Sequence, residues 1–485
     1  MKSINILTGL ALLCLAGNVS AQSEVDALRY SRLDFGGTAR TQAIGGAQTA
    51  LGADAGNLSG NPAGLGLFRR SEFSFTPGVN FGNTSSKVDG LASVDQRHNL
   101  NLSGFGLVFA NRKSDGTEGN WRGGAFGIGF TRQNHFQNKF NYGRQTGDTE
   151  ATILESIAES ATRNGLSSGT TASSLDDLAY DAALINYDTD RDDYYAVDRQ
   201  GQIRQTEDVV SKGGQNQWDF SYGTSYRDVL FLGGSIGFST LRYNQERTYR
   251  EIENSATTAF QDLTIRDEFT TTGNGINARL GFIVKPVDFI RFGASFQTPT
   301  YFSMRDEYIT SLQTQNTSAF NGETDPGEYE YRLTTPTRVT GGVAVIAGKY
   351  GFFSGDVEYV DYTRARLRDD ADNAVFQGSN NDISSLYRSA VNVRLGAEGR
   401  FDIFRVRGGF ALYGDPYENS TYDRKKTFLT AGVGIKQANY FFDLALVNSA
   451  YNSVYSPYVL EVDPAPVVIT KNRNNNLLFT LGMNF

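Results

Sequence analysis

Side chains able to do chemistry are few. Histidine is limited to His98 and His135, and cysteine to Cys14, in 485 residues. A Ser-His-Asp apparatus would need one of those histidines, and neither stands in a recognisable catalytic motif. Both fall near the outer ends of expected strands and read as polar rim residues. A single cysteine allows no disulfide framework and no Cys-rich metal centre. Asp188-Thr189-Asp190-Arg191-Asp192-Asp193 has the carboxylate spacing of a calcium loop. It lacks that loop's central Gly and distal Glu, with Arg199 at the distal position. A solvated acidic loop is the better reading, so no metal and no cofactor are expected. There is no Walker motif, and Gly127-Ile128-Gly129 reads as strand alternation rather than a phosphate cradle. No enzyme is expected.

The elements behind these residues have an unusual composition. The chain holds 33 Phe, 25 Tyr and 53 Gly, with 39% hydrophobic residues when glycine is left out. Aromatic, glycine-rich sequence fits β structure with one polar and one apolar face. The net charge of −8 shows no basic excess, which excludes a typical nucleic-acid binder. Met1-Lys2, an apolar run from Ile4 to Gly17 and the small-residue site Val19-Ser20-Ala21 read as a secretory signal peptide over 1–21. Its removal takes Cys14 with it. Leu13 before Cys14 speaks against a lipid-attachment site. No later apolar run is long enough for a spanning helix. The product is exported, and is either soluble or a membrane barrel.

Alternation of apolar and polar residues decides for the barrel. Fourteen strands are expected, over 71–82, 97–110, 121–136, 214–227, 229–245, 268–285, 288–308, 327–348, 350–368, 385–400, 402–414, 423–437, 439–453 and 474–485. Long connections, such as 137–213 and 454–473, alternate with tight ones at Asp228, Lys285 to Asp288 and Arg400 to Asp402, with 111–120 as an exception. That is the loop pattern of an outer-membrane barrel. In the last strand Leu477, Phe479, Leu481, Met483 and Phe485 can face lipid. Asp443 should point inward, because a charge on the lipid face costs a few kcal/mol. Within 137–213, helices are expected over Thr152 to Arg163 and Leu175 to Ile185.

Residues 22–70 do not alternate. They are rich in Gly and Ala and contain Pro62, so they cannot span. Fourteen strands enclose space, and this segment is placed inside as a plug, leaving 71–485 as the barrel. The run Gly46-Ala47 … Ala53-Asp54-Ala55-Gly56-Asn57-Leu58-Ser59-Gly60-Asn61-Pro62-Ala63-Gly64-Leu65 resembles the N-terminal hatch of the FadL/TodX family of outer-membrane transporters. Thr335-Pro336-Thr337-Arg338-Val339, Asp356-Val357-Glu358-Tyr359, Arg394 to Glu398 and Val406 to Phe410 are similar to later strands of that family. The resemblance implies an all-β, 14-stranded antiparallel barrel plugged by the hatch, working in the outer membrane of a Gram-negative-type bacterium. It also implies uptake of long-chain fatty acids or other hydrophobic molecules. The loop 137–213 has no counterpart in the family pattern.

Three groups of residues are expected to form the site. Asn61-Pro62-Ala63 is a stiff corner, expected to act as hatch or gate. In the second strand Leu100 and Leu102 share one parity, and Phe105, Leu107 and Phe109 the other. A bulge at Ser103-Gly104 reconciles them; it either curves the barrel or kinks a gap into the wall. With such a bulge Phe105, Leu107 and Phe109 are expected to line a pocket. The expected function is passive uptake by a monomer, with a fatty acid-like ligand, outer-membrane lipid around it, and hatch movement or lateral release. The alternative is a barrel of the same type that anchors secretion or surface-protein attachment through 137–213.

Overall fold

The computed structural model describes residues 24–113, 119–147, 150–166, 172–199, 201–253, 260–315, 319–372, 374–461 and 464–485. The predicted signal peptide, 1–21, lies outside the described residues.

Fourteen antiparallel strands close into one barrel. They are β1 Glu72–Val88, β2 Leu91–Arg112, β3 Trp121–His135 continued by Asn138–Gln145, β4 Ile203–Tyr226, β5 Leu230–Glu253 and β6 Asp262–Val287. Next come β7 Ile290–Gln297 with Tyr301–Gln315, β8 Gly327–Thr334 with Arg338–Ile346 and β9 Gly351–Asp361 with Arg366–Arg368. The remainder are β10 Ser389–Phe401, β11 Phe404–Tyr413, β12 Lys426–Lys436, β13 Tyr440–Tyr455 and β14 Val468–Asn484. Closure comes from β14 against β1, from Met483 opposite Phe73 to Ile469 opposite Lys87. The strand count is the one expected from alternation.

Period-two patterning sorts the faces. Phe220, Phe238, Leu280, Phe282, Val343, Leu395, Leu429, Phe442 and Phe479 are exposed on the outside. Gln217, Asp219, Asn277, Arg338, Glu358, Glu398 and Arg407 are buried inside. Asp443 points inward and bonds Arg407 Nη1 at 2.6 Å. Short turns close one end. Between β4 and β5, Arg227 and Asp228 both have positive φ (53° and 56°), the geometry that matches the twist of a tight hairpin.

The strands reach farther outward than expected. β4 begins at Ile203 rather than 214, and β5 runs to Glu253 rather than 245. The connection 137–213 therefore narrows to 146–202. Toward the long-loop end the outer face turns polar, with Arg204, Asp208 and Arg250 exposed, while the inner face keeps Tyr249, Leu263 and Ile265 buried. Apolar residues with water on one side and a small core on the other look like loop sequence.

That core belongs to a cap over the long-loop end of the barrel. α1, defined here as Ile153–Asn164, carries a Thr152–Glu155 capping box and buries Ile153, Leu154, Ile157 and Ala161. α2, Leu175–Asp181, packs beside it. It stops short of Ile185, because Ala183 takes a positive φ of 55° and the chain enters the hairpin Ile185–Asp188/Asp193–Ala196. The acidic run is the turn of that hairpin. Asp188 Oδ1 accepts from the backbone N–H of Asp190 and Arg191. Among the described residues no group of three or more His, Cys, Asp or Glu is placed to hold a metal.

The topology makes a prediction. Trypsin added to intact cells should cut at Arg191, whose side chain is 76% exposed on the cap. It should spare Lys349-Tyr350, exposed at a short turn. Cleavage at Lys349 with Arg191 intact would invert the assignment of inside and outside.

Candidate functional site

Residues 24–70 lie inside the barrel and follow its inner wall almost all the way round. The segment has a short helix at Glu24–Ser31, a second at Ala39–Ala43, and 3-10 turns at Ala55–Leu58 and Pro62–Leu67. Thr38 caps the second helix through the Thr41 N–H, and Asp54 caps the first turn through the Gly56 N–H at 2.8 Å. Barrel side chains then fasten the hatch in sequence. Ala39 N donates to Thr480 Oγ1 at 2.7 Å on β14. Thr430 on β12 donates to Ala43 O at 2.8 Å, and Ser354 on β9 to Ala47 O at 2.7 Å. Asp356 accepts from Thr49 N and Oγ1 at 3.0 and 2.7 Å, and Arg291 on β7 donates to Leu51 O at 2.6 Å. Ser221 on β4 reaches Leu58 O at 3.0 Å.

Close approach is possible because the inward positions at this level are glycines. A Cβ at Gly223 would lie 2.5 Å from Pro62 O, one at Gly396 2.5 Å from Ile44 O, and one at Gly106 2.5 Å from Ala55 Cβ. Gly129, Gly432 and Gly104 would meet Leu58, Ala43 and Gly37 in the same way. Hatch backbone and hatch side chains therefore pack directly on bare strand backbone around the ring. The sequence signal was present as inward-parity glycines in successive strands. Gly127-Ile128-Gly129, read as plain alternation, is part of this seat.

Asn61, Pro62 and Ala63 form a buried corner. Asn61 Oδ1 accepts from Ala63 N at 3.1 Å, while Nδ2 donates to Thr49 O at 2.7 Å and to Phe282 O on β6 at 3.1 Å. The corner binds the hatch to itself and to the wall at β5 and β6.

The wall opens elsewhere. β2 pairs with β3 only from Arg112 opposite Gly123 to Gly104 opposite Thr131. Two bulges flank the end of that ladder. On β2, Thr76 faces Gly104 and Pro77 faces Leu102, so Ser103 is the extra residue, at the bulge expected from sequence. On β3, Arg132 faces Asn216 and Asn134 faces Gln215, so Gln133 is extra. Bulges bend strands and end pairing. Above them Arg97 Nε donates to Gln137 Oε1 at 2.8 Å, and Asn141 N donates to Asp95 at 2.8 Å, tying the two strands by side chains. Between ladder and side-chain ties lies a window, bordered by 99–103 on β2 and 132–136 on β3. Leu100 at its outer edge is 82% exposed. Inside, hatch residues back it: Asp34 N donates to Gln133 O at 2.8 Å, and Asn134 Nδ2 donates to Arg32 O at 2.9 Å.

The bulge places Phe105, Leu107 and Phe109 differently from expectation. Gly104, Gly106 and Val108 take the inward positions, with Gly104 and Gly106 against the hatch. Phe105 contacts Phe73 and Trp218, and Phe109, 47% exposed, contacts Phe485. All three lie on the outer face and line no internal pocket. The extra residue restores Leu100 and Phe105 to one outward face instead of turning the phenylalanines inward.

Cavities between hatch and wall are more polar than expected. One of ≈ 90 Å³ is lined by Arg279, Arg338, Arg394 and Glu358, among others. Glu358 accepts from Arg338 and Arg394, each at 3.1 Å. A second, ≈ 60 Å³, lies behind the window between Phe35 and Phe428 and asparagines of β1, β2 and β14. His135 lines it and is no rim residue. A third, ≈ 290 Å³, lies toward the short turns, where Arg40 of the hatch meets Glu398 at 3.3 Å.

A closed 14-stranded antiparallel barrel of this kind has solved counterparts. The Pseudomonas putida toluene transporter TodX aligns at TM-score 0.55 and 12% identity, covering 93% of this chain and 99% of that one. The fold is the FadL/TodX fold. A Pseudomonas aeruginosa FadL homologue aligns at TM-score 0.55 and 11% identity over 93% of this chain and 98% of its own. The Ralstonia pickettii toluene transporter TbuX gives 0.51 and 17% over 93% and 99%. TodX and TbuX are toluene transporters. No protein-family model and no curated protein matches the sequence.

Proposed function

We propose that this barrel is a passive outer-membrane channel that takes up long-chain fatty acids or other hydrophobic small molecules as a monomer and releases them sideways into the bilayer. The window between β2 and β3 carries this reading. It opens through the wall beside lipid-exposed Leu100, with a cavity behind it and a hatch segment as its inner shutter. The hatch is seated against the wall through a ring of inward glycines. A movement confined to 32–36 would free the window while Asn61-Pro62-Ala63 holds the rest of the hatch on β5 and β6. The corner is thus proposed as the fixed end of the gate. The likeness in fold to toluene transporters and a FadL homologue supports the same class of cargo.

The test is reconstitution into vesicles. An alkyl-chain probe should enter protein-containing vesicles faster than protein-free ones, while small sugars should be excluded. Free diffusion of sugars without binding of the alkyl probe would make the protein a general porin.

A further inference from the structure

The cavity behind the window has a chemistry that a hydrocarbon cannot use. Four side-chain atoms of its lining are buried without a hydrogen-bond partner: Asn80 Oδ1, Gln133 Oε1, His135 Nδ1 and Arg132 Nε. Asn80 and Gln133 are 3% and 5% exposed, so solvent at the surface does not serve them. Buried polar atoms are almost always paired, because an orphan has lost its water without a replacement. Four on residues that line one cavity of ≈ 60 Å³ mark a place meant for a polar guest. Gln133 is there because it is the extra residue of the β3 bulge, so the feature that opens the wall also supplies the side chain.

The guest's character follows from donor and acceptor type. Two of the orphans are amide oxygens, which need a donor and repel an anion. Arg132 Nε needs an acceptor. A hydroxyl does both, since it has one hydrogen and two lone pairs. A carboxylate would meet Arg132 but leave both oxygens facing negative charge. Asp34, on the same cavity, adds a further carboxylate and is held by Lys426 Nζ at 2.7 Å.

From this we infer that the preferred cargo is a neutral, hydroxyl-bearing amphiphile, a long-chain alcohol or glycerol monoester. Its head pauses at Asn80 and Gln133 while its tail passes the window. The inference rests on the uptake reading above and narrows it.

Three probes of one chain length separate the cases: 1-dodecanol, dodecane and dodecanoate. Each is equilibrated by dialysis with the full mature protein in one detergent, with a micelle blank subtracted. Dodecanol should be retained about tenfold better than dodecane, the effect of roughly two net hydrogen bonds. Asn80→Leu with Gln133→Leu should erase that preference while dodecane binding stays. Heat-modifiable gel mobility reports that the variant barrel is folded, and the wild-type comparison stands without the variant. Equal retention of dodecanol and dodecane, or preference for dodecanoate, overturns this inference and leaves uptake intact. Failure to bind any of the three overturns the uptake reading as well.

Discussion

Replacing an inward glycine of the hatch seat by valine should open the barrel without unfolding it. At Gly223 a new Cβ would lie 2.5 Å from Pro62 O and 2.8 Å from Gly66 N; at Gly396 it would lie 2.5 Å from Ile44 O and 2.8 Å from Ile44 Cβ. Most of these partners are backbone atoms held by other contacts, so no side chain can swing away to make room. Overpacking of this kind costs about 1–3 kcal/mol per site. The strands themselves favour valine and close on one another through β14 and β1, so the strain falls on the hatch. Gly223→Val with Gly396→Val should keep heat-modifiable mobility. It should also raise single-channel conductance to that of an unplugged barrel, and expose Arg40 to trypsin from the short-turn side. Gly341→Val is the control, since its Cβ would meet nothing within 4 Å. Unchanged conductance and a protected Arg40 in the double variant would show that the glycines are not a seat.

Removing the two bulge residues should do the opposite and shut the wall. Deletion of Ser103 makes the β1–β2 ladder continuous, and deletion of Gln133 removes the β3–β4 bulge beside the window. With both strands regular there, pairing can run on past Gly104 and Thr131 and cover the window. Entry of an alkyl-chain probe should fall on the order of tenfold or more, as loss of over ~1.4 kcal/mol would give. Barrel mobility and exclusion of sugars should be unchanged. Uptake at the wild-type rate in a folded double deletion would rule out the window as the exit.

Much of the barrel was legible from the sequence, and particular residues show why. Lipid must cover one face of every strand, so Phe479, Leu481 and Met483 had to alternate with polar partners whatever their neighbours were. The same constraint sent Asp443 inward. The bulge at Ser103 announced itself as a phase change between Leu102 and Phe105. The plug was legible because Pro62 and the glycines around it cannot span. The extra-membrane parts of β4 to β6 were not legible, because there the outer face meets water and the pattern loses its apolar half.

What only the tertiary structure decided concerns partners distant in sequence. A bulge flips parity, but which face it restores depends on what the glycines beside it touch. Gly104 and Gly106 meet Gly37 and Ala55 of the hatch, so Phe105 and Phe109 go outward. The second bulge at Gln133, the end of the β2–β3 ladder and the hatch backbone behind it come from three stretches of chain with no local signature of their meeting. Alternation, strand number and the inner filler are properties of single segments against lipid, and the sequence determined them by itself. The window and the orphan atoms behind it arise where segments fail to pair, which no single segment encodes.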